Sequence, residues 1–330
     1  MMPLLLANAL IPVFAGLLLG YAAGRRRVVD NINVKSLITF LMSFALPCTL
    51  YSAIAATDRI QLLGQGLSSV VLSLMYLVVF VLVYVVARKL LRRPTHDSAV
   101  LALTLGLPNA TAVGLPLLLA AYGPAASLTT VASIAMGAIT VSPLTLAILE
   151  TRPDPLRPLR WHERIRQAFA QTGRRPDTLM GLAWRTCRKP VVWAPVLAIF
   201  MSLAGVHLPA YAMRTLSVMG AATAGTALFI TGLIVSAQRF AFNRTVAFWL
   251  FTKNFLQPAI ALGACHLFHL SLDFTRSIVL LCAIPCGFFG IVFGKNVNCT
   301  PPDASSTLVA SYILGIFTLA GWIILLNHLH

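Results

Sequence analysis

Lys253 stands in the stretch "FWLFTKNFLQP", about ten residues inside an apolar run, or roughly 15 Å along a helix that rises about 1.5 Å per residue. An ionisable side chain at that depth is costly to bury and is a candidate ligand holder by default. Its four-carbon stem equally allows the ammonium to reach back toward the inner surface, and the sequence leaves both placements open. Two further stretches combine residues that interrupt helices. "LGLPNATAVGLPLLLAAYG" at 105–123 carries Pro108, Asn109, Gly114 and Pro116, and "IPCGFFGIVFG" at 284–294 carries Pro285, Cys286 and Gly287. Proline removes an amide donor and strains the preceding turn, while glycine lets the chain change direction. In lipid, such a break survives only where protein, water or a ligand satisfies the freed backbone groups. Each break leaves two half-helices, and the inner N-terminal ends present amide donors and partial positive charge. One such proline usually only kinks a span; two at matching positions point to a site. The nine acidic residues, Asp30, Asp58, Asp97, Glu150, Asp154, Glu163, Asp177, Asp273 and Asp303, all fall in joints or at span ends. The chemistry indicated is the holding of a small organic anion.

The elements that must position these residues are membrane helices. Of 330 residues, 58% are hydrophobic and 10% charged, with a mean hydropathy of +0.84, which excludes a soluble enzyme. Apolar runs give ten expected spans, at about 3–23, 34–56, 64–87, 98–121, 126–149, 190–206, 212–237, 244–268, 276–294 and 304–326. The expected fold class is therefore an all-α polytopic membrane protein. A net charge of +16 would suggest nucleic acid in a soluble chain; here the charges sit between apolar runs and face anionic lipid, so no nucleic-acid partner is expected. Lysines and arginines in alternate joints number 21 on one side and three on the other, with Lys253 inside a span. The excess on one side puts both termini outside and the 150–189 segment in the cytoplasm of a plasma-membrane protein. The N-terminus has no basic region before its apolar run, and Arg25, Arg26 and Arg27 follow it, as expected of a retained span rather than a cleaved leader.

An internal repeat accounts for the paired breaks. "SLTTVASIAMGAIT" at 127–140 and "SSTLVASYILGIFT" at 305–318 agree at seven of fourteen positions, at an offset of 178. The same offset pairs Pro12 with Pro190 and Leu50-Tyr51 with Leu228-Phe229, and an offset of 177 pairs Pro108 with Pro285. Five spans per half is an odd number, so the second half inserts upside down. Residues 1–149 form the first five-helix repeat, 150–189 a basic cytoplasmic loop and 190–330 the inverted second repeat. Inverted repeats with discontinuous helices meeting at the midplane are a recurring construction of secondary carriers.

At these residues the chain resembles the auxin efflux carrier family, the group of bacterial, fungal and plant ten-span carriers that includes malonate and malate permeases. The matching pieces are Pro12, "LPCTLY" at 46–51, "NATAVGLPLLLAAYG" at 109–123, Lys253 with Pro258, and "IPCGFFGIVFGKNV" at 284–297. The resemblance implies two inverted five-helix repeats of the bile-acid/sodium symporter type, crossed discontinuous helices 4 and 9, and elevator-type movement of anionic substrates, mono- or dicarboxylates and auxin-like anions among them. By the resemblance Asn109 matches the family's crossover asparagine and Pro285 its ninth-span proline, and the expected substrate site is drawn from Thr49, Tyr51, Pro108, Asn109, Thr111, Gly114, Lys253, Pro285, Cys286, Gly287 and Phe289. Many members carry an asparagine shortly after the ninth-span proline, where this chain has Phe288 and Phe289; either the substrate is more apolar on that side or it is held chiefly by the first-half crossover.

Other features need no chemistry. Cys48, Cys187, Cys265, Cys282, Cys286 and Cys299 form no CxxC pair and read as packing residues, with no disulfide, metal or cofactor expected. His266 and His269 beside Cys265 lack a further ligand. Gly16, Gly20 and Gly24 give overlapping GxxxG patterns that serve packing within the chain or a homodimer. The segment 156–175 reads either as a basic amphipathic helix on the inner leaflet or as a basic disordered loop. A membrane ligand-binding sensor or structural partner without flux is the alternative to a carrier; a membrane enzyme would need a nucleophile or metal cluster that the sequence does not offer.

Overall fold

A backbone in hydrocarbon must satisfy its own amides, and this chain does so with helices. The computed structural model describes residues 2–56, 64, 66–151, 188–206, 208–237 and 240–328, so nearly all of the 150–189 loop, with its 156–175 segment, lies outside the described residues. The helices are α1 (Met2–Arg25), α2 (Lys35–Ala55), α3 (Gly66–Leu90), α4 (Thr95–Gly106), α5 (Ala110–Gly114 continued by Leu115–Tyr122), α6 (Pro124–Ile139), α7 (Val141–Glu150), α8 (Pro190–Leu203), α9 (Ala210–Ser236), α10 (Arg244–Phe251 continued through Thr252–Leu256 to Gln257–Leu267), α11 (Leu272–Ala283), α12 (Phe289–Asn296) and α13 (Pro302–Asn327). Five stretches are long and apolar enough to cross a membrane: Lys35–Ala55, Gly66–Leu90, Leu128–Glu150, Ala210–Ser236 and Pro302–Asn327. They coincide with the second, third, fifth, seventh and tenth spans expected from the sequence. Large apolar side chains point outward along them and their neighbours, Phe200 at 69% and Phe317 at 72% exposure among others, as on a surface that meets lipid rather than water.

The fourth and ninth expected spans are interrupted. α4 and α11 each run for 12 residues and stop at Leu107 (φ −102°, ψ 108°) and Ile284 (φ −62°, ψ 154°). Both residues precede a proline, whose ring pushes the residue before it out of the helical region into extended backbone. The local chemistry of X-Pro thus sets both breaks.

Three prolines act more gently. The backbone widens to π-helix at Leu41–Ala45, Ala110–Gly114 and Thr252–Leu256, each segment ending two residues before Pro47, Pro116 or Pro258. A proline four residues on cannot donate to the carbonyl it should pair, and the ladder re-registers by one residue. In α10 the carbonyl deprived by Pro258 is that of Asn254, and Trp322 of α13 supplies the missing donor from its indole Nε1 at 3.0 Å. Trp322→Phe is expected to cost about 1 kcal/mol. In a Pro258→Ala background, where residue 258 regains its amide, the added cost of Trp322→Phe should shrink, which thermal unfolding of the four variants would measure as coupling.

Two packed groups emerge. α1 lies along α9, and α2 packs on both α8 and α9. The second group joins α3 to α4 and α6, α10 to α11 and α13, and α4 to α12. In the first group, a side chain at Gly20 would run into the Phe229 carbonyl, and Gly16 and Gly24 likewise face Leu228 and Ser236 of α9. The GxxxG face of α1 is therefore used within the chain.

Candidate functional site

The two breaks meet. Pro108 and Cys286 form an isolated antiparallel bridge: the Asn109 amide donates to the Pro285 carbonyl at 3.2 Å, and the Gly287 amide to the carbonyls of Leu107 (3.0 Å) and Thr104 (3.2 Å). Extended segments that lipid could not accommodate satisfy one another. Asn109 is fully buried and secures the start of α5. Its Oδ1 accepts from the Ala112 amide at 3.2 Å, and its Nδ2 donates to the Tyr312 hydroxyl at 2.6 Å, tying the crossing to α13. Ser311 adds a second tie, its Oγ accepting from the Cys286 amide at 3.1 Å.

On one side of the crossing lies a narrow cavity of about 20 Å³, with room in this conformation for little more than a water molecule. Its floor is the crossing itself, with Leu107, Pro108, Ala110 and Thr111 from the first break and Phe289 and Phe293 from α12. Leu46, Leu50 and Val191 of α2 and α8 face them, and Ile134, Ala138 and Ser142 of α6 and α7 close the third side. The cavity therefore sits at the seam between the two packed groups, against the first turns of α5 and α12. Those turns are helix N-termini, whose amides and dipoles favour negative charge. The rest of the lining is apolar apart from the Thr111 and Ser142 hydroxyls. A second hollow, lined by Ile38, Thr39, Met42, Ser43, Lys189, Pro190, Val191 and Asn296, shares Val191 with it. Lys189 there pairs with Glu150.

A family model described as "membrane transport protein" matches residues 5–323. The chain belongs to that family. Among curated relatives of this membrane transport protein, the uncharacterized transporter YfdV of Escherichia coli K12 is 27% identical over 317 residues, 95% of each chain. Auxin efflux carrier component 7 of Arabidopsis thaliana is 25% identical over 153 residues, 44% of this chain and 25% of its own. The probable auxin efflux carrier component 1b of rice is 26% identical over the same length, 28% of its own. The resemblance read from the sequence is thus a membership, and the relatives it matches are named as transporters.

The structure of this family member sorts the residues singled out in its sequence. Pro108, Thr111 and Phe289 line the cavity. Asn109, Pro285, Cys286 and Gly287 form the crossing behind it, and Gly114 packs against Leu281 and Ile284 of the other break. Lys253 is fully buried and bonded to Gln257 Oε1 (2.7 Å) and the Cys282 carbonyl (3.0 Å); it does not snorkel. Thr49 and Tyr51 are engaged elsewhere: Thr49 Oγ1 with the Gly220 carbonyl (2.7 Å) and Thr223 Oγ1 (2.6 Å) between α2 and α9, and the Tyr51 hydroxyl with the Met201 sulfur (3.0 Å). Among the described residues, no three His, Cys, Asp or Glu side chains gather as metal ligands. Sequence reasoning passed over Gln257, Ser311 and Tyr312. The first stands four residues after Lys253, on the same helix face, and the other two lie inside the repeated segment, which is where a search for partners would have found them.

Proposed function

We propose that this membrane transport protein is a secondary carrier of small organic anions that have an apolar body. It works by elevator-type alternating access, with ten spans arranged as two inverted five-helix repeats, 1–149 and 190–330. In this reading α1, α2, α8 and α9 are the fixed scaffold and the remaining helices carry the crossing past it. In the same reading both termini face outside the plasma membrane and the 150–189 loop is cytoplasmic, which the distribution of basic residues supports. The observation that carries the reading is the cavity at the seam, where helix N-termini from both breaks meet an otherwise apolar wall. Amide dipoles suit a carboxylate, and the Phe289 ring, packed 4.4 Å from Phe288 between centroids, suits a hydrocarbon or aromatic body. The adjoining hollow at Lys189 and Asn296, next to the end of the 150–189 loop, supports a cytoplasmic mouth in this reading.

Proteoliposomes holding the purified protein should take up at least one labelled carboxylate from a panel of dicarboxylates and indole carboxylates. Absence of flux and of binding across that panel sinks the substrate assignment, whereas saturable binding with no flux would make the protein a sensor instead. Phe289→Ala should weaken aromatic anions about tenfold relative to small dicarboxylates, as expected when roughly 1.4 kcal/mol of apolar contact is lost. Equal weakening of both classes would remove the ring from the site.

A further inference from the structure

α4 and α11 end side by side at the crossing, and a helix C-terminus carries partial negative charge and carbonyls without intrahelical donors. One turn of α10 serves both ends. Lys253 Nζ donates to the Cys282 carbonyl in the last turn of α11 at 3.0 Å and to Gln257 Oε1 at 2.7 Å, and Gln257 Nε2 donates to the Gly106 carbonyl at the end of α4 at 3.0 Å. Lys253, Asn254, Gln257 and Cys282 are all completely buried. The π-helical turn Thr252–Leu256 is what puts Thr252, Lys253 and Asn254 on the buried side together. Among the described residues Lys253 has no carboxylate partner: Asp30 lies in a joint, and Asp97, Glu150, Asp273 and Asp303 lie in the end turns of their helices. A buried cation normally requires a counter-charge, and here two helix C-termini supply it.

We propose that Lys253 is a positioning residue that acts as a tethered cation: its ammonium fills, by a covalently held charge, the place between the two negative helix ends that a mobile metal cation would otherwise be needed to fill. The second-half N-termini then remain available to the anion, and the crossing needs no inorganic cation to assemble. This rests on the reading of the crossing as the anion site, and it makes anion binding independent of sodium and potassium.

The test uses the full-length purified protein in detergent and in vesicles, with sodium, potassium or choline as the only added cation. For the wild type, melting temperature and anion affinity should agree within twofold in affinity and about a degree in melting temperature across the three salts. A loss of affinity of tenfold or more on replacing sodium by choline would overturn the proposal. Lys253→Ala should melt lower than the wild type, bind the anion at least tenfold more weakly, and recover part of both when sodium or methylammonium is added, because a free cation can enter the vacated place. A Lys253→Ala protein with wild-type affinity and no response to added cations also overturns it. Should the wild type bind no carboxylate, the anion-site reading fails, and the cation response of the melting temperature still decides the role of Lys253. Should Lys253→Ala fail to accumulate, the wild-type comparison of the three salts decides alone, its salt independence supporting the proposal and a metal requirement refuting it.

Discussion

Asn109→Ala is expected to reduce carboxylate uptake by at least a hundredfold and to lower thermal stability at the same time. The side chain is buried in the crossing, and both its ends are occupied, Oδ1 by the Ala112 amide and Nδ2 by the Tyr312 hydroxyl. Alanine leaves the part-buried Ala112 amide and the buried Tyr312 hydroxyl without these partners, at about 1–3 kcal/mol for the hydroxyl and less for the amide. The first turn of α5, which carries Ala110 and Thr111 at the cavity wall, loses its cap together with its link to α13. Asn109→Asp separates the two effects. It keeps the acceptor for Ala112 and can accept from Tyr312, but it sets a negative charge beside the anion's position, so folding should survive better than uptake. Uptake by Asn109→Ala at wild-type rates would show that the crossing does not hold substrate.

Gly315→Val is the second large effect, expected to lower the melting temperature by about 4–8 °C and to abolish uptake. A Cβ at Gly315 would sit 2.9 Å from Pro285 Cγ, with the rest of that ring close behind. A proline ring has no free torsion with which to move aside, so the strain passes into the break, at about 1–3 kcal/mol for an overpacked interior. Gly137 faces the tip of the Leu107 side chain at the other break, which has torsions with which to move aside, so a valine there should cost less than at Gly315. Gly321 lies on the same helix as Gly315 with open space around its Cβ position. Gly321→Val is the matched control, expected to unfold and transport within error of the wild type. If both α13 variants behaved alike, helix propensity rather than the crossing would explain the loss.

The breaks were legible because proline acts on its own backbone and on the residue before it, whatever the tertiary context. Leu107 and Ile284 are extended for that reason alone, and the spacing of Pro108 and Pro285 could be read without a structure. The depth of Lys253 was legible as well, but not its direction. A lysine stem is long enough to reach the surface or a neighbouring helix end, and only the position of Cys282 decides between them. Thr49 illustrates the opposite difficulty. A hydroxyl in an apolar span looks the same in sequence whether it faces a ligand or, as here, the Gly220 carbonyl. Nothing marked Leu46, Leu50 and Val191 as the far wall of a cavity, because an aliphatic residue is equally at home against lipid or a hydrocarbon substrate. Gln257 and Tyr312 reach partners 151 and 203 residues away, separations over which a single sequence holds no pairing information.

The bridge between Pro108 and Cys286 also constrains how the protein is made. When the ribosome has delivered only the first half, the extended segment at Leu107–Asn109 has no strand to lean on, and the Asn109 amide and Leu107 carbonyl wait in the bilayer for chain not yet synthesised. The newborn half must therefore linger with an open seam until residues 285–287 thread in beside it. Quality-control proteases would be expected to clear a product truncated before that point, however well its individual helices had inserted.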